Sequence, residues 1–123
     1  MAEIIPILGP RQFTEEEAEN LLPTVKRITA QAAREASKIE EQLRFIPREE
    51  PIFGRLATEM DLIIRRWAIK VKKLGLRPTA LWIVDFDAGE GWFSWRLGDE
   101  HVSYFSSPGA GLEPGSEKKE LSE

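Results

Sequence analysis

Three polar residues in the last third of the sequence could do chemistry together. Asp85, Arg96 and His101 fall in stretches where polar and apolar residues alternate, so we expect them on one face of a β-sheet. Such a face, with Arg96 opposite His101, could bind a small molecule or a metal ion. Polar strand faces are also commonly just solvated. A small-molecule or metal site is therefore the third of our three functional hypotheses.

Other patterns that catalysis requires do not occur in the sequence. It contains no cysteine, which removes disulfides, thiolate nucleophiles and cysteine-based metal sites. There is no Gly-rich phosphate loop and no metal-ligand spacing, and the one histidine has no partners for a nucleophilic triad. We therefore predict that the protein is not an enzyme and has no catalytic residues, metal or cofactor.

A second chemical feature is a cluster of cations, made of Arg65, Arg66, Lys70, Lys72, Lys73 and Arg77. Arg66, Lys70 and Lys73 are spaced by four and three residues, so they share one helix face and could bind phosphate groups. However, cations favour helix carboxyl ends in any case, and the formal net charge of the chain is -4. Trp67, the aromatic residue among these charges, falls on the predicted core face, so no aromatic stacking residue accompanies them, as single-strand binding needs. A nucleic-acid or ribosome-associated factor is therefore our alternative hypothesis.

Two long helices must position these groups. The apolar periodicity predicts them over residues 14–46 and 51–74. Thr14 and Glu17 form a capping-box pattern at the start of the first helix. Pro23 follows after about two turns, so we expect a kink there. The connection between the helices is short, which predicts an antiparallel hairpin.

The second helix carries an extra apolar stripe, formed by Leu62, Ile69 and Leu76, on the side opposite its main stripe. A helix that is apolar on two faces must be covered on both, either by the sheet or by a second copy of the protein. Trp92 and Phe105 extend this candidate interface onto the outer face of the predicted sheet. Our leading hypothesis is a non-enzymatic interaction module that self-associates, as a homodimer, through one of these two surfaces.

The residues after the second helix predict three strands, over 80–86, 91–97 and 101–105. A four-residue first turn sets Val84 opposite Phe93, and a two-residue second turn sets Phe93 opposite Tyr104. This register puts the large apolar side chains on one face of the sheet. The predicted fold is α+β: an antiparallel two-helix hairpin followed by a three-stranded antiparallel β-meander packed on it.

The whole chain fits one domain. Its 123 residues leave no room for a second core, and its hydrophobic (41%) and charged (31%) fractions are typical of a soluble globular protein. We place the domain at residues 1–112 and a flexible tail at 113–123, and residues 4–8 could add an edge strand. The sequence has no apolar segment as long as a membrane span and no cysteine, so we expect a cytoplasmic protein without membrane contact.

Two groups of motifs occur in the order of a known family: Phe13 to Ala18 with Leu21-Leu22-Pro23, and later Val84-Asp85-Phe86, Trp95 to Asp99 and Ala110-Gly111. They resemble a prokaryotic family known only as domain of unknown function 2203, over about residues 13 to 112. That family has no assigned activity, so the resemblance implies organisation and no chemistry. The family usually carries Trp-His after the third strand and later Gly-Arg, where this chain has Phe105-Ser106 and Pro114-Gly115. A site that used that histidine and arginine would be missing here.

Overall fold

Two helices precede a four-stranded antiparallel sheet in the computed structural model, which describes residues 11–106. The elements are α1 (Glu15–Leu43), α2 (Pro51–Lys73), β1 (Arg77–Ala80), β2 (Ile83–Asp87), β3 (Trp92–Arg96) and β4 (Ser103–Phe105). The predicted α+β class is therefore confirmed, with one strand more than the sequence indicated. The predicted edge strand at residues 4–8 and the predicted tail at 113–123 lie outside the described residues.

Helix α1 begins with the capping box that its sequence predicts. The Thr14 hydroxyl accepts a hydrogen bond from the Glu17 N–H at 3.1 Å, and the Glu17 carboxylate accepts one from the Thr14 N–H at 2.9 Å. Acidic residues in the first turn also stabilise the positive end of the helix dipole. The helix continues through the exposed Pro23 without being divided, and it ends at Leu43, earlier than the predicted boundary at residue 46.

Helix α2 packs against α1 and shares a buried polar contact with it. Pro51 lies in its first turn, where the missing N–H costs nothing, and Gly75 follows its end with a φ of 87°. The indole Nε1 of Trp67 donates to the Thr29 hydroxyl at 2.8 Å. Because both groups are buried, this bond satisfies an N–H that would otherwise lose its water without compensation.

The predicted strand over residues 80–86 is in fact two strands, and this part of the prediction is wrong. β1 and β2 are joined by a tight turn at Leu81 and Trp82, and Trp82 has a φ of 60°. A bulky residue rarely adopts this left-handed conformation, so no residue here indicates a turn from sequence alone. The turn is stabilised by packing, since the Trp82 ring meets the Trp67 ring edge to face at a centroid distance of 5.0 Å.

The register between β2 and β3 also differs from the prediction, by two residues. Val84 pairs with Trp95, because the Asp87 carboxylate accepts from the Gly89 N–H at 2.8 Å and starts the turn one residue later. Gly91 then lies directly against the Tyr104 side chain, where a Cβ would collide with the phenol ring. A shift of two residues leaves every side chain on its predicted face. Between β3 and β4, the predicted pairing of Phe93 with Tyr104 is observed.

The apolar face of the sheet contributes Val84, Phe86, Phe93 and Trp95 to one core cluster with the two helices. Two hydrogen bonds also hold the sheet at one end of the hairpin. The Phe13 N–H donates to the Asp87 carbonyl at 2.7 Å, and the Lys26 ammonium donates to the Glu100 carbonyl at 2.8 Å. Toward the loop that joins the helices, α2 carries apolar side chains that are only partly buried, namely Phe53, Leu56 and Met60.

The hairpin is thus divided by the sheet. We call residues 15–29 of α1 with 65–73 of α2 the covered half, and residues 30–43 of α1 with 51–64 of α2 the free half. The candidate surfaces described below lie at the border between these halves and along the outer side of α2.

Candidate functional site

A cavity of about 530 Å³ opens where the free half of the hairpin emerges from beneath the sheet. We call this cavity the notch. Its floor is formed by Ala30, Ala33, Ala36 and Ser37 of α1 and by Met60 and Ile64 of α2. Small side chains on a helix let another element approach its backbone closely. The floor of the notch therefore offers a low and mainly apolar surface to such an element.

The rim of the notch is formed by Leu81, Trp82 and Leu97. Leu81 is 50% exposed and Leu97 is 40% exposed, although both are large apolar residues. The two are held together because the Leu97 N–H donates to the Trp82 carbonyl at 3.0 Å, and Trp82 packs on the buried Trp67. The rim therefore presents two fixed leucines beside a floor of small residues. Trp82 keeps its strained, positive φ because the packing around the rim holds it there.

Two opposite charges flank the notch along α1. Arg34 and Glu40 both line it, and each lies three residues from Ser37, one toward each end of the helix. They are exposed, and within residues 11–106 neither side chain has an ion-pair partner within 4 Å. At 1.5 Å of rise per residue, the two side chains are separated by about 9 Å along the helix axis.

The five residues of the candidate interface do not form one surface. Leu62 and Ile69 are 41% and 51% exposed on α2, and Leu62 lines a groove with Lys38 and Gln42 of α1. Leu76 and Phe105 are buried within the chain, so they offer almost no surface to a partner. Trp92 is half-buried, with the Arg77 guanidinium 5.5 Å from its ring.

The error at Leu76 has a simple physical cause. The sequence prediction extended the helical spacing of Leu62 and Ile69 by one more step, but α2 ends at Lys73. After the left-handed Gly75 the chain reverses, and the Leu76 N–H donates back to the Val71 carbonyl at 3.2 Å. Leu76 therefore points into the core and not along the outer side of the helix.

Around Leu62 and Ile69 the outer side of α2 is strongly cationic. Arg66, Lys70 and Lys73 are all exposed, and Arg65 and Lys72 are exposed beside them. We call these seven residues, Leu62, Arg65, Arg66, Ile69, Lys70, Lys72 and Lys73, the basic face of α2. In the described part of the chain, none of the five cations has a carboxylate within 4 Å. The residues of the candidate anion patch therefore lie on one exposed cationic surface, with two apolar side chains inside it.

The three residues of the predicted polar site have different surroundings. Asp85 pairs with Ser94 and is buried, whereas Arg96 pairs with Ile83 and is exposed. Asp85 and Arg96 are therefore diagonal neighbours on one face of the sheet and not directly opposite each other. His101 precedes β4 and lies with its Nδ1 3.1 Å from the Glu19 Oε1. Among residues 11–106, no three His, Asp or Glu side chains are grouped so that they could hold a metal ion.

Glu19 forms a connection between helix and sheet that sequence reasoning missed. Its carboxylate contacts His101 and also accepts from the Val102 N–H at 3.0 Å. Partial burial raises the pKa of Glu19, but the hydrogen bonds from His101 and Val102 and the nearby charges of His101 and Lys26 outweigh it, so the pKa lies below its ordinary value. No local pattern could have indicated this contact, because its partners are 82 and 83 residues apart in sequence.

A helical hairpin followed by a four-stranded antiparallel meander defines a small α+β protein. In residues 11–106, neither helix combines the length and the apolar character needed to cross a membrane. The chain belongs to the family described as Uncharacterized conserved protein (DUF2203), whose model matches residues 11–114. The resemblance drawn from the sequence motifs is therefore confirmed. No curated protein and no solved structure matches the chain.

Proposed function

We propose that this protein is a non-enzymatic, cytoplasmic interaction module that forms a symmetric dimer through the notch. One observation carries the proposal: a pair of exposed leucines, Leu81 and Leu97, stands directly beside a floor of small residues on the same surface. A twofold dimer brings one surface patch against itself, so that patch must be complementary to itself. A projection next to a depression of apolar character meets this requirement.

The size of the residues supports the same arrangement. When two copies meet about a twofold axis, the leucines of each copy enter the notch of the other above Ala33 and Ser37. Both leucines lose water, and burying such a side chain fully contributes about 1.5–3 kcal/mol. The small floor residues allow the two α1 helices to approach each other within about 8–10 Å.

The charges along α1 also fit a twofold arrangement. If the axis passes near Ser37, the two α1 helices run antiparallel, and Arg34 of one protomer faces the partner's Glu40. The same pair then occurs a second time on the other side of the axis. Arg34 and Glu40 have opposite charges, lie at equal distances from Ser37 and have no ion-pair partner among the described residues, so they match the same two residues of a second copy.

The basic face of α2 is less suited to self-association. A twofold contact through Leu62 and Ile69 would bring the five cations of one copy against the five cations of the other. Like charges placed opposite each other in an interface cost several kcal/mol. The outer face of the sheet is also poorly suited, because Phe105 is buried and Trp92 is partly covered by Arg77. For these reasons we place the dimer at the notch and not at the two surfaces considered from sequence.

The experiment is a charge-reversal series followed by sedimentation equilibrium. We expect a dimer at tens of micromolar protein, and R34E or E40R alone should weaken it at least about tenfold, because each puts two like-charged pairs in the interface. The double variant R34E/E40R restores the opposite charges and should recover most of the lost affinity. K38E is the matched control, since Lys38 is an exposed α1 cation on the opposite groove of the hairpin.

Two results would contradict the proposal. A wild-type chain that stays monomeric over the whole concentration range excludes the dimer. A dimer that is weakened equally by R34E, E40R and K38E, with no recovery in R34E/E40R, excludes the notch as its interface. Circular dichroism of each variant checks that the helical content is unchanged.

A further inference from the structure

We propose that the basic face of α2 is a docking surface for an acidic amphipathic helix of another protein. The surface is an exposed apolar seam of two residues, Leu62 and Ile69, with five cations around it. It is separate from the notch, so this proposal does not depend on the dimer.

The spacing of these residues is a repeat. Leu62 is followed by Arg65 and Arg66, and seven residues later Ile69 is followed by Lys72 and Lys73. In a helix, positions three and four residues away flank the starting residue on its two sides, so each apolar side chain has a cation on either side. Seven residues correspond to about 10.5 Å along the axis and almost two full turns. This pattern shares one feature with a coiled-coil helix, an apolar residue every seven positions with charge beside it, but the second seam position of each heptad is a cation, Arg65 or Lys72.

The charges that follow each apolar residue indicate the kind of partner. In pairs of helices, the residues beside the apolar seam select a partner with the opposite charge. Here the positions three and four residues after Leu62 and after Ile69 are all cationic, and Glu59, one turn before Leu62, is the anion at the edge of the surface. No described carboxylate lies within 4 Å of Arg66 or Lys73. The complementary helix therefore has apolar residues seven positions apart with Glu or Asp beside them. Leu62 and Ile69 provide the apolar contact, and the cations steer the approach of the acidic partner.

Nucleic acid fits this surface less well. Phosphate contacts use the cations alone, and they leave Leu62 and Ile69 without any apolar partner. The basic face also has no exposed aromatic side chain on which bases could stack.

A lipid surface fits less well for a different reason. The wide apolar stripe of α2, with Ile63, Trp67 and Val71, is buried in the core and is not available for insertion into a bilayer. Two partly exposed side chains present a much smaller apolar area than an interfacial helix uses.

The experiment measures binding of the full chain to three probes at the same ionic strength. The first is a fluorescent three-heptad peptide with Leu at its seam positions and Glu at the positions beside them. The second is a short RNA duplex, and the third is a vesicle of phosphatidylcholine with phosphatidylserine. We expect saturable binding of the peptide, weaker binding of the duplex and no binding of the vesicle. A peptide with Lys in place of each Glu should not bind.

Variants of the chain identify the surface. L62S/I69S and R66E/K73E should each weaken peptide binding at least tenfold, because the first removes the apolar contact and the second reverses the charge. The matched control is R27E/R44E, which reverses two exposed cations of α1 and its C-terminal cap that line no groove with Leu62 or Arg66, and it should leave peptide binding within about twofold. All of these side chains are exposed, so the fold should be retained, and circular dichroism checks this. R34E, which disrupts the proposed dimer, should not change peptide binding.

Three results would overturn the proposal. The first is no peptide binding by the wild-type chain. The second is peptide binding that L62S/I69S leaves unchanged, because the contact would then be only a general charge attraction. The third is tighter binding of the RNA duplex or of the vesicle than of the peptide, which would assign the basic face to nucleic acid or to a lipid surface.

Discussion

The covered and free halves of the hairpin contain similar apolar residues but bury them to different extents. In both halves the seam between the helices is closed: Val25 and Val71 are fully buried in the covered half, and Ile39 and Ile63 are buried in the free half. The difference lies on the side that faces the sheet. There the covered half is packed under strands, whereas the free half carries the open notch and the partly buried Met60.

The lengths of the elements explain this difference. Helix α1 has 29 residues and is therefore about 43 Å long. Strand β2 has five residues, about 17 Å, and four strands side by side span about 19 Å at 4.8 Å each. Along its strands or across them, the sheet is therefore less than half as long as the helix. The hairpin is longer than the described strands, and its free half carries apolar side chains that are only partly buried.

The two candidate surfaces also differ in charge, and this suggests different partners. The notch is flanked by one cation and one anion, Arg34 and Glu40, at equal distances from its centre, which suits a second copy of the same surface. The basic face of α2 has one sign of charge throughout, which opposes a second copy and favours an acidic partner. One hairpin can therefore present both surfaces at the same time without competition between them.

The largest expected effect tests the contrast between the two halves directly. W67A should lower the free energy of unfolding by about 3–5 kcal/mol, because it removes a buried indole that packs on Trp82 and leaves the Thr29 hydroxyl without its partner. M60A, in the free half, should cost only about 1 kcal/mol, because Met60 is already partly exposed at the notch. Urea unfolding followed by fluorescence of the remaining tryptophans measures both losses. Equal losses would show that the free half is packed as tightly as the covered half.

A smaller effect on stability is expected from adding one methyl group to a glycine, either just before β3 of the sheet or in the free half of the hairpin. G91A should destabilise the fold by about 1–3 kcal/mol, because the new Cβ collides with the Tyr104 ring. G54A, in the free half, meets nothing within 4 Å and replaces glycine by the best helix former, so it should stabilise by about 0.5–1 kcal/mol. The same unfolding assay measures both changes, and their opposite signs are the result to check. A stability gain in G91A would mean that the Tyr104 side chain can move away from the turn.

The sequence predicts those parts of this fold that are determined by neighbours along the chain. The capping box at Thr14 and the alternation of Phe93 and Trp95 are local patterns, and both are found in the structure. The β1–β2 turn could not be predicted, because Trp82 adopts its left-handed conformation against Trp67, which lies in another element. The register error has a local origin instead: the Asp87 carboxylate accepts from the Gly89 N–H, and the turn therefore starts one residue later than the sequence pattern indicated.

The candidate surfaces show the same limit of sequence reasoning. The exposed cations Arg66, Lys70 and Lys73 could be predicted to lie together, because their spacing of four and three residues places them on one helix face. The notch was missed because its floor belongs to the helices and its rim to the turns of the sheet. Residues such as Ala33 and Leu97 gain a common role only when tertiary packing brings them together. The length of the hairpin relative to the strands was the one available signal that some of its surface would remain uncovered.

The smallest expected effect concerns the contact that holds the β3–β4 connection against α1. The pKa of Glu19 is lowered in the folded chain, despite its partial burial, by His101 and by the Val102 N–H. A carboxyl whose folded pKa lies below its unfolded pKa stabilises the fold above the unfolded value, about 4.3 for glutamate, and loses this contribution as the pH falls through the folded value. The wild-type chain should therefore lose part of its stability on acidification through this one group.

E19Q removes the titrating group and should flatten this part of the pH dependence. We expect E19Q to be less stable than the wild-type chain at neutral pH and the two to converge as the pH falls below about 4, because the protonated wild-type carboxyl no longer differs in charge from glutamine. Urea unfolding between about pH 3 and 7 measures the difference, and E16Q, an exposed glutamate of the same helix end without a described partner, is the matched control. A constant difference between E19Q and the wild-type chain across this range would show that Glu19 acts through packing alone and that its contact with His101 and Val102 does not lower its pKa. Because this contact lies in the covered half, neither variant should change the dimer at the notch or peptide binding to the basic face of α2.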